Sequence, residues 1–309
     1  MTALHASSNS LRVGVVFPHT ELSGDPVAIR EFAQACESLG FDHIVAFDHV
    51  LGAHPDTPGY AGKYTSETPF TEPFVLFSYM AALTARIELV TGVLVLPQRQ
   101  TALVAKQAAD LALLSDGRLR LGVGTGWNQR EYEALGTAFS GRGARQEAQI
   151  ALLRRLWTEE TITLHDTWHE LSDVGILPRP ASRIPIWFGG NSPAVIRRAA
   201  RLGDGWFPLA RPGLDLEPLL ERLYRALDDA GRERDSFGIE GFINAGPADP
   251  DRWVRQLDAW SNAGATHVSL RTQPPVLPNP RPGVGLRHHL DLLERFASAA
   301  GLVQRLNSD

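Results

Sequence analysis

The stretch Ile87–Pro97, IELVTGVLVLP, decides the fold. From Glu88 to Leu96 it is β-branched and apolar almost without interruption. It is too short to span a membrane, which takes about 20 residues, and too apolar for an exposed hairpin. Continuous apolarity marks a strand buried on both faces, hence a parallel sheet covered by helices. Gly92 stands inside the run, where a glycine weakens a strand unless something must come close to the backbone. The run leads into a second one, Leu114–Trp127 (LSDGRLRLGVGTGW), again apolar and again broken by glycine at one end.

Outward from this pair, strands alternate with helices along the whole chain. Strand-like runs fall at Leu11–Pro18, Ile44–Phe47, Ile87–Leu96, Arg118–Val123, Pro185–Phe188, Gly205–Phe207, Phe237–Asn244 and Thr266–Leu270. Helices are expected from Pro26 (capped by Ser23 or Asp25) to Leu39, where Gly40 stops the first one. Others are expected at Pro73–Arg86, Ala102–Ser115, Asn128–Leu135, Gly143–Trp157, near Ser192-Pro193, Glu217–Ala230, Pro250–Asn262 and His288–Ala300. Thr161–Leu171 reads as an inserted hairpin, Gly52–Pro69 as a long loop of the kind that forms a lid, and Gln273–Pro282 as a proline-rich loop. Eight alternations without a composition break give a single (β/α)8 TIM barrel with insertions over 11–305, after a loose tail at 1–10. An open doubly wound sheet is the rival.

The composition narrows the function. The chain has 309 residues, 43% of them hydrophobic, and a net charge of −5. Without a long basic block, nucleic acid and anionic membrane are poor partners. Residues 1–10 lack the features of a signal peptide, so the cytoplasm is the expected compartment. The single cysteine, Cys36, excludes an internal disulfide and lies on the apolar face of a helix with Ile29 and Phe32. No His or carboxylate spacing suits a metal, so none is expected. A Schiff-base aldolase would need a lysine on a barrel strand, but Lys63 falls in a loop and Lys106 in a helix.

In such a barrel, chemistry sits where strands end. That rule selects His19, Asp48, His49, Gly92, Gly126, Trp127, Gly189, Gly190, Trp206 and Arg271. Asp48-His49 closes one strand and opens the long loop; a histidine titrating near neutrality there suits acid–base work or a cofactor contact. A histidine merely bonded to a neighbouring loop is the plainer alternative. Gly122, Gly124 and Gly126 are spaced G-x-G-x-G, which is not the dinucleotide fingerprint. Gly189-Gly190-Asn191-Ser192 before a helix suits an anion site, with a simple capping turn as the alternative. Arg211, in the loop after strand six, could reach the same anion. His288-His289 reads as surface.

Four signatures resemble the bacterial luciferase-like monooxygenase superfamily, in particular its branch that uses the deazaflavin coenzyme F420. They are FDHV (Phe47–Val50), TGVLVLPQRQ (Thr91–Gln100), SDGRLRLGVGTGW (Ser115–Trp127), and IPIWFGGNS with the later LGDGW. They come in family order across about residues 11–300. The resemblance implies a barrel binding F420, or alternatively FMN, at the C-terminal ends of the strands. It also implies a non-prolyl cis peptide at Gly92–Val93, pressing on the ring system. By the same resemblance His49 stands beside the hydride-bearing carbon, Asp48 contacts the ring system, and Gly189, Gly190, Asn191 and Ser192 hold the phosphate or tail. The strand-end rule adds Gly126 and Trp127 as cofactor contacts, and Arg211 is in reach of the same anion. His19, Tyr60, Tyr64, Phe70, Trp127 and Trp206 are the candidate substrate wall. Trp127 replaces the glutamate of the sugar-phosphate dehydrogenase branch, which counts against that substrate and its proton-transfer scheme.

The expected function is hydride transfer between reduced deazaflavin and a small organic substrate. An FMN-dependent monooxygenase is the first alternative and a non-catalytic cofactor-binding barrel the second. Members of the family often dimerise, so a homodimer is the expected assembly.

Overall fold

A computed structural model describes residues 11–303 except 61, 63, 247 and 274–283. The tail at 1–10, the last residues of the 11–305 unit and nearly all of the proline-rich stretch lie outside the described residues.

The chain runs β1 (Arg12–Val16), a one-turn α1 (His19–Leu22), α2 (Pro26–Ser38), β2 (His43–Ala46), α3 (Pro73–Ala81), β3 (Glu88–Thr91), β4 (Leu94–Val95) and α4 (Thr101–Leu114). It continues through β5 (Leu119–Gly124), α5 (Gln129–Ala134), α6 (Arg142–Thr158), the β6–β7 hairpin (Ile162–His165 and Glu170–Val174), β8 (Ile186–Gly189) and α7 (Pro193–Leu202). The last elements are β9 (Gly205–Phe207), α8 (Glu217–Asp229), β10 (Gly238–Asn244), α9 (Pro250–Asn262), β11 (His267–Arg271) and α10 (Leu286–Ala299). Local chemistry sets the joints. Asp25, rather than Ser23, caps α2, its Oδ1 accepting the Val27 and Ala28 amides at 3.0 Å each. Gly40, at φ +85°, follows the end of that helix.

The sheet order β3-β2-β1-β11-β10-β9-β8-β5-β4, with β3 also paired to β5, closes a parallel barrel. The open-sheet alternative is thereby excluded. The expected third strand is not continuous. It divides into β3, paired with both β2 and β5, and β4, paired with β5 alone, and the break falls at Gly92–Val93. The third helix also ends at Ala81, short of the expected Arg86.

Alternation along each strand sorts the side chains. Val15, Ile44, Leu89, Leu121 and Leu270 face outward and merge with the helices into one large core. Cys36 is buried there as apolar filler. Val16, Val45, Val90, Trp187 and Phe207 face inward and fill the middle of the barrel. Below them lies a buried polar layer that the sequence reading did not foresee. Glu240 binds Arg120 at 2.6 Å, His43 at 2.9 Å and Ser269 at 2.6 Å. Arg120 also reaches Glu88 at 3.1 Å and lies over the Trp187 ring.

Another correction concerns His289. It is fully buried and bonds Thr272 at 2.9 Å, so α10 turns this histidine into the core rather than to the surface. Among the described residues, no helix is long and apolar enough to cross a membrane.

Candidate functional site

The Gly92–Val93 peptide is cis. Its surroundings explain the glycines around it. A Cβ on Gly92 would lie 2.3 Å from Val45 Cγ1, so no larger residue fits beside β2. Val93 turns into the barrel mouth and packs on β5 and β8. A Cβ on Gly124 would come within 2.5 Å of Val93 Cγ2, and one on Gly189 within 2.8 Å of its Cγ1. A Cβ on Gly122 would meet the Thr91 carbonyl oxygen at 1.9 Å, and one on Gly126 the Val95 side chain at 2.6 Å. The alternating glycines of GVGTG are therefore a groove that receives the bulged strand, which accounts for a spacing that never fitted a nucleotide loop. Gly126 also sits at φ +62°, a conformation that favours glycine.

Asp48 fastens the far side of the bulge. Its Oδ2 accepts the Val95 amide at 2.9 Å and its Oδ1 accepts Arg99 Nη2 at 2.7 Å, while Arg99 also binds Glu72. With both oxygens committed, the Asp48 side chain holds the backbone of the bulged segment.

His49 stands at the centre of an aromatic wall. Its ring centroid lies 4.9 Å from Tyr64, 4.9 Å from Phe70 and 5.9 Å from Trp127. Tyr60 stands 6.4 Å from Trp127, and its hydroxyl donates to the Tyr64 carbonyl. Four of the expected wall residues thus gather around His49. The long loop that carries the two tyrosines is closed at its base by the Ala53–Thr65 bridge. Gly52 there has no room for a Cβ, which would lie 2.2 Å from the Thr65 backbone.

Two wall assignments need correction. Trp206 is fully buried on the outer side of the barrel, and its Nε1–H donates to the Gly190 carbonyl at 2.8 Å. Alternation turns its neighbour Phe207 inward instead. His19 is also fully buried and lies behind the wall, 4.9 Å from Phe70. Its Nε2 accepts the Phe47 amide at 3.0 Å, and its Nδ1 has no partner. Burial, with the nearby His49, pushes His19 down to about 3, so it stays neutral.

Also at the mouth, Asn191, Arg211, Phe242, Asn244 and Arg271 line a cavity of about 560 Å³. Asn191 braces its rim, with Nδ2 donating to the Leu209 carbonyl and Oδ1 accepting the Leu209 amide. Ser192 Oγ accepts the Val195 amide at 3.3 Å and caps α7, the plainer of its two expected roles. Gly190 sits at φ +122°, as the turn into α7 requires. Arg271 lies 4.2 Å over the Phe242 ring and 5.4 Å from Phe47, with Nε buried and unpartnered. Among the described residues no carboxylate pairs with it, and burial lowers its proton affinity.

Sequence reasoning missed Glu131. It extends from α5, is 2% exposed, and accepts the Val50 and Leu51 amides with Oε1, while Oε2 lies 3.8 Å from His49 Nδ1. Burial alone would raise its carboxyl, but the His49 side chain and the two amides hold it below the usual range. The one signal in the sequence was an acidic residue one turn into the short helix after Trp127.

Comparison with known proteins agrees with this geometry. A protein of Mycobacterium tuberculosis named only as uncharacterized protein Rv0940c is 34% identical over 236 residues, covering 73% of this chain and 82% of its own. An F420-dependent glucose-6-phosphate dehydrogenase of Kineococcus radiotolerans is 33% identical, over 67% of this chain and 60% of its own. The structure of an F420-dependent secondary alcohol dehydrogenase in complex with an F420-acetone adduct superposes with a TM-score of 0.73 at 17% identity, over 95% of this chain and 99% of that one. The family model for luciferase-like monooxygenases matches residues 11–292, and the chain belongs to that family.

Proposed function

We propose that the protein is an oxidoreductase that holds coenzyme F420 at the barrel mouth and moves a hydride between the reduced deazaflavin and a small organic substrate. The observation that carries this reading is the apolar floor at Val93, seated on the glycines of β5 and β8, at the same barrel mouth as a histidine-centred aromatic wall. Relatives named as F420-dependent dehydrogenases favour the deazaflavin over FMN.

The residues fit such a group. Val93 and the backbone around it offer a flat apolar floor for a tricyclic ring. Arg211 and Arg271, with Asn191 of the turn before α7, line the cavity where an anionic tail would lie. When bound, the cofactor supplies a carbon that gives or takes hydride. His49, 14% exposed at its side chain, is placed to orient the reacting group or to move a proton at one ring nitrogen. Tyr60, Tyr64, Phe70 and Trp127 exclude water from that space. The protein's share of the catalysis is to hold donor and acceptor carbons at near-attack distance.

Binding titrations of the purified protein with F420 and with FMN, followed by oxygen-electrode measurements, test the reading. Tight F420 binding and oxygen-independent turnover are expected, with His49→Ala losing rate while keeping its fold and cofactor affinity. Oxygen-dependent turnover with FMN and none with F420 would overturn it in favour of a monooxygenase. Cofactor binding without any His49-dependent turnover would leave only a binding protein.

A further inference from the structure

We propose that Glu131 is the positioning residue for His49. Its Oε2 accepts the Nδ1 proton, so that the neutral imidazole presents an unprotonated Nε2 to the barrel mouth. The inference deepens the function proposed above and rests on His49 being the group that meets the substrate.

The argument begins with the two carboxylate oxygens, which do different work. Oε1 accepts the Val50 and Leu51 amides and so ties down the chain just after His49. Asn128, next to α5, holds the same segment through the Leu51 carbonyl. A glutamine or a well-placed water could do as much, so a purely structural role needs only this oxygen. Oε2 instead faces His49 Nδ1 at 3.8 Å. That is longer than a hydrogen bond, but a small rotation of the imidazole closes it, and contacts of this kind commonly tighten only when a ligand arrives.

Charge settles which nitrogen carries the proton. Glu131 is held ionised, so it can only accept. The tautomer of a histidine follows the bond made by its other nitrogen, and a carboxylate at Nδ1 selects Nδ1–H. Among the described residues, Glu131 is the carboxylate paired with this ring, and His19 beside it stays neutral. Asp48, adjacent in the chain, is turned away to Val95 and Arg99. Glu131 therefore reaches from α5 to the chain around His49 and determines which face of His49 acts in the mouth.

The test uses ¹⁵N-histidine NMR of the cofactor-free protein at alkaline pH, where an imidazole is neutral. Wild type is expected to show His49 as Nδ1–H. Glu131→Gln keeps an oxygen for the Val50 and Leu51 amides but turns an NH₂ toward Nδ1, so His49 is expected to invert to Nε2–H. In F420-loaded protein the same variant should lose about 100-fold in kcat with unchanged cofactor affinity. Should Glu131→Gln fail to fold, the wild-type spectrum alone decides, because Nε2–H there overturns the proposal. An identical tautomer in wild type and variant overturns it as well. Inversion of the tautomer in a protein that turns over with neither cofactor would confirm the positioning and refute the proposed function, so the two failures are distinguishable.

Discussion

The floor and the mouth of this barrel treat buried charge in different ways. At the floor, Glu240 meets Arg120, His43 and Ser269, and Arg120 also meets Glu88, all at 3.1 Å or less, although His43 Nδ1 and Arg120 Nη2 make no hydrogen bond. At the mouth, Nδ1 of His19 and Nε of Arg271 are buried without partners, and Oε2 of Glu131 stands 3.8 Å from its nearest imidazole. A buried polar atom without a partner costs about 1–3 kcal/mol, and stable folds avoid it. Such atoms occur at both ends, and what separates the ends is charge: the Arg120 guanidinium at the floor faces two carboxylates, and that of Arg271 at the mouth faces none among the described residues. On the proposed function the floor serves stability and the mouth a ligand.

The sharpest way to break this comparison is at Glu240. Replacing it by leucine would leave the Arg120 guanidinium buried beside a carboxylate it only partly faces, and would free His43 and Ser269 from their shared acceptor. Removing one member of a buried ion pair typically costs about 3–5 kcal/mol. Glu240→Leu is therefore expected to lower the urea midpoint sharply, and a loss below about 1 kcal/mol would show that the floor network does not hold the barrel together.

Acid unfolding sharpens the same contrast. Burial, aided by the Arg120 charge, depresses His267 to about 2 from 6.5. Below pH 6.5 the unfolded chain takes up a proton on this histidine and the folded chain does not. Stability is thus full above 6.5 and falls as the pH drops towards 2. Glu240 is also depressed in the fold, from 4.5: burial opposes this, but His43 and Arg120 outweigh it. Its contribution is present above 4.5 and is lost only below. Between pH 6.5 and 4.5 the slope therefore belongs to histidines held neutral in the fold, the half-buried His267 at the floor and the buried His19 at the mouth among them, at about 1.4 kcal/mol per pH unit each. His267→Gln should flatten that slope by about one proton, read from urea titrations across the window. An unchanged slope would mean that His267 is charged in the fold.

How far the sequence revealed these two regions depends on the signal each residue left. Gly92 was visible because a glycine has no reason to sit in a buried strand unless the backbone does something unusual there. Tyr60, Tyr64, Phe70 and Trp127 could be grouped around His49 because each lies at or beyond the end of a strand. Trp206 misled because β9 has only three residues, too few for alternation to decide which side chain faces inward. Glu131 was hidden for a similar reason: α5 is six residues long and shows no period, so nothing in the sequence says which way its carboxylate turns. The floor left a faint trace, since Arg120 and Glu240 are lone charges inside otherwise apolar strands, and such charges must find partners once buried.

Arg271 gives the smallest effect and the most discriminating one, because the comparison predicts its sign. Its guanidinium is buried against Phe242 and Phe47 with no carboxylate among the described residues to balance it. Arg120, which is buried more completely, has two. Exchanging Arg271 for methionine keeps the stem and its contact with the rings while removing an uncompensated charge. The variant is expected to be more stable than wild type, by about 0.5–2 kcal/mol, as happens where a site is maintained at a cost to the fold. It should also bind F420 more weakly, since the cavity it lines would lose the cation that faces an anionic tail. Thermal unfolding and cofactor titration on the same preparations check both halves. A destabilised Arg271→Met would show that the mouth, like the floor, uses its charge to hold the barrel, and the distinction between the two ends would fail.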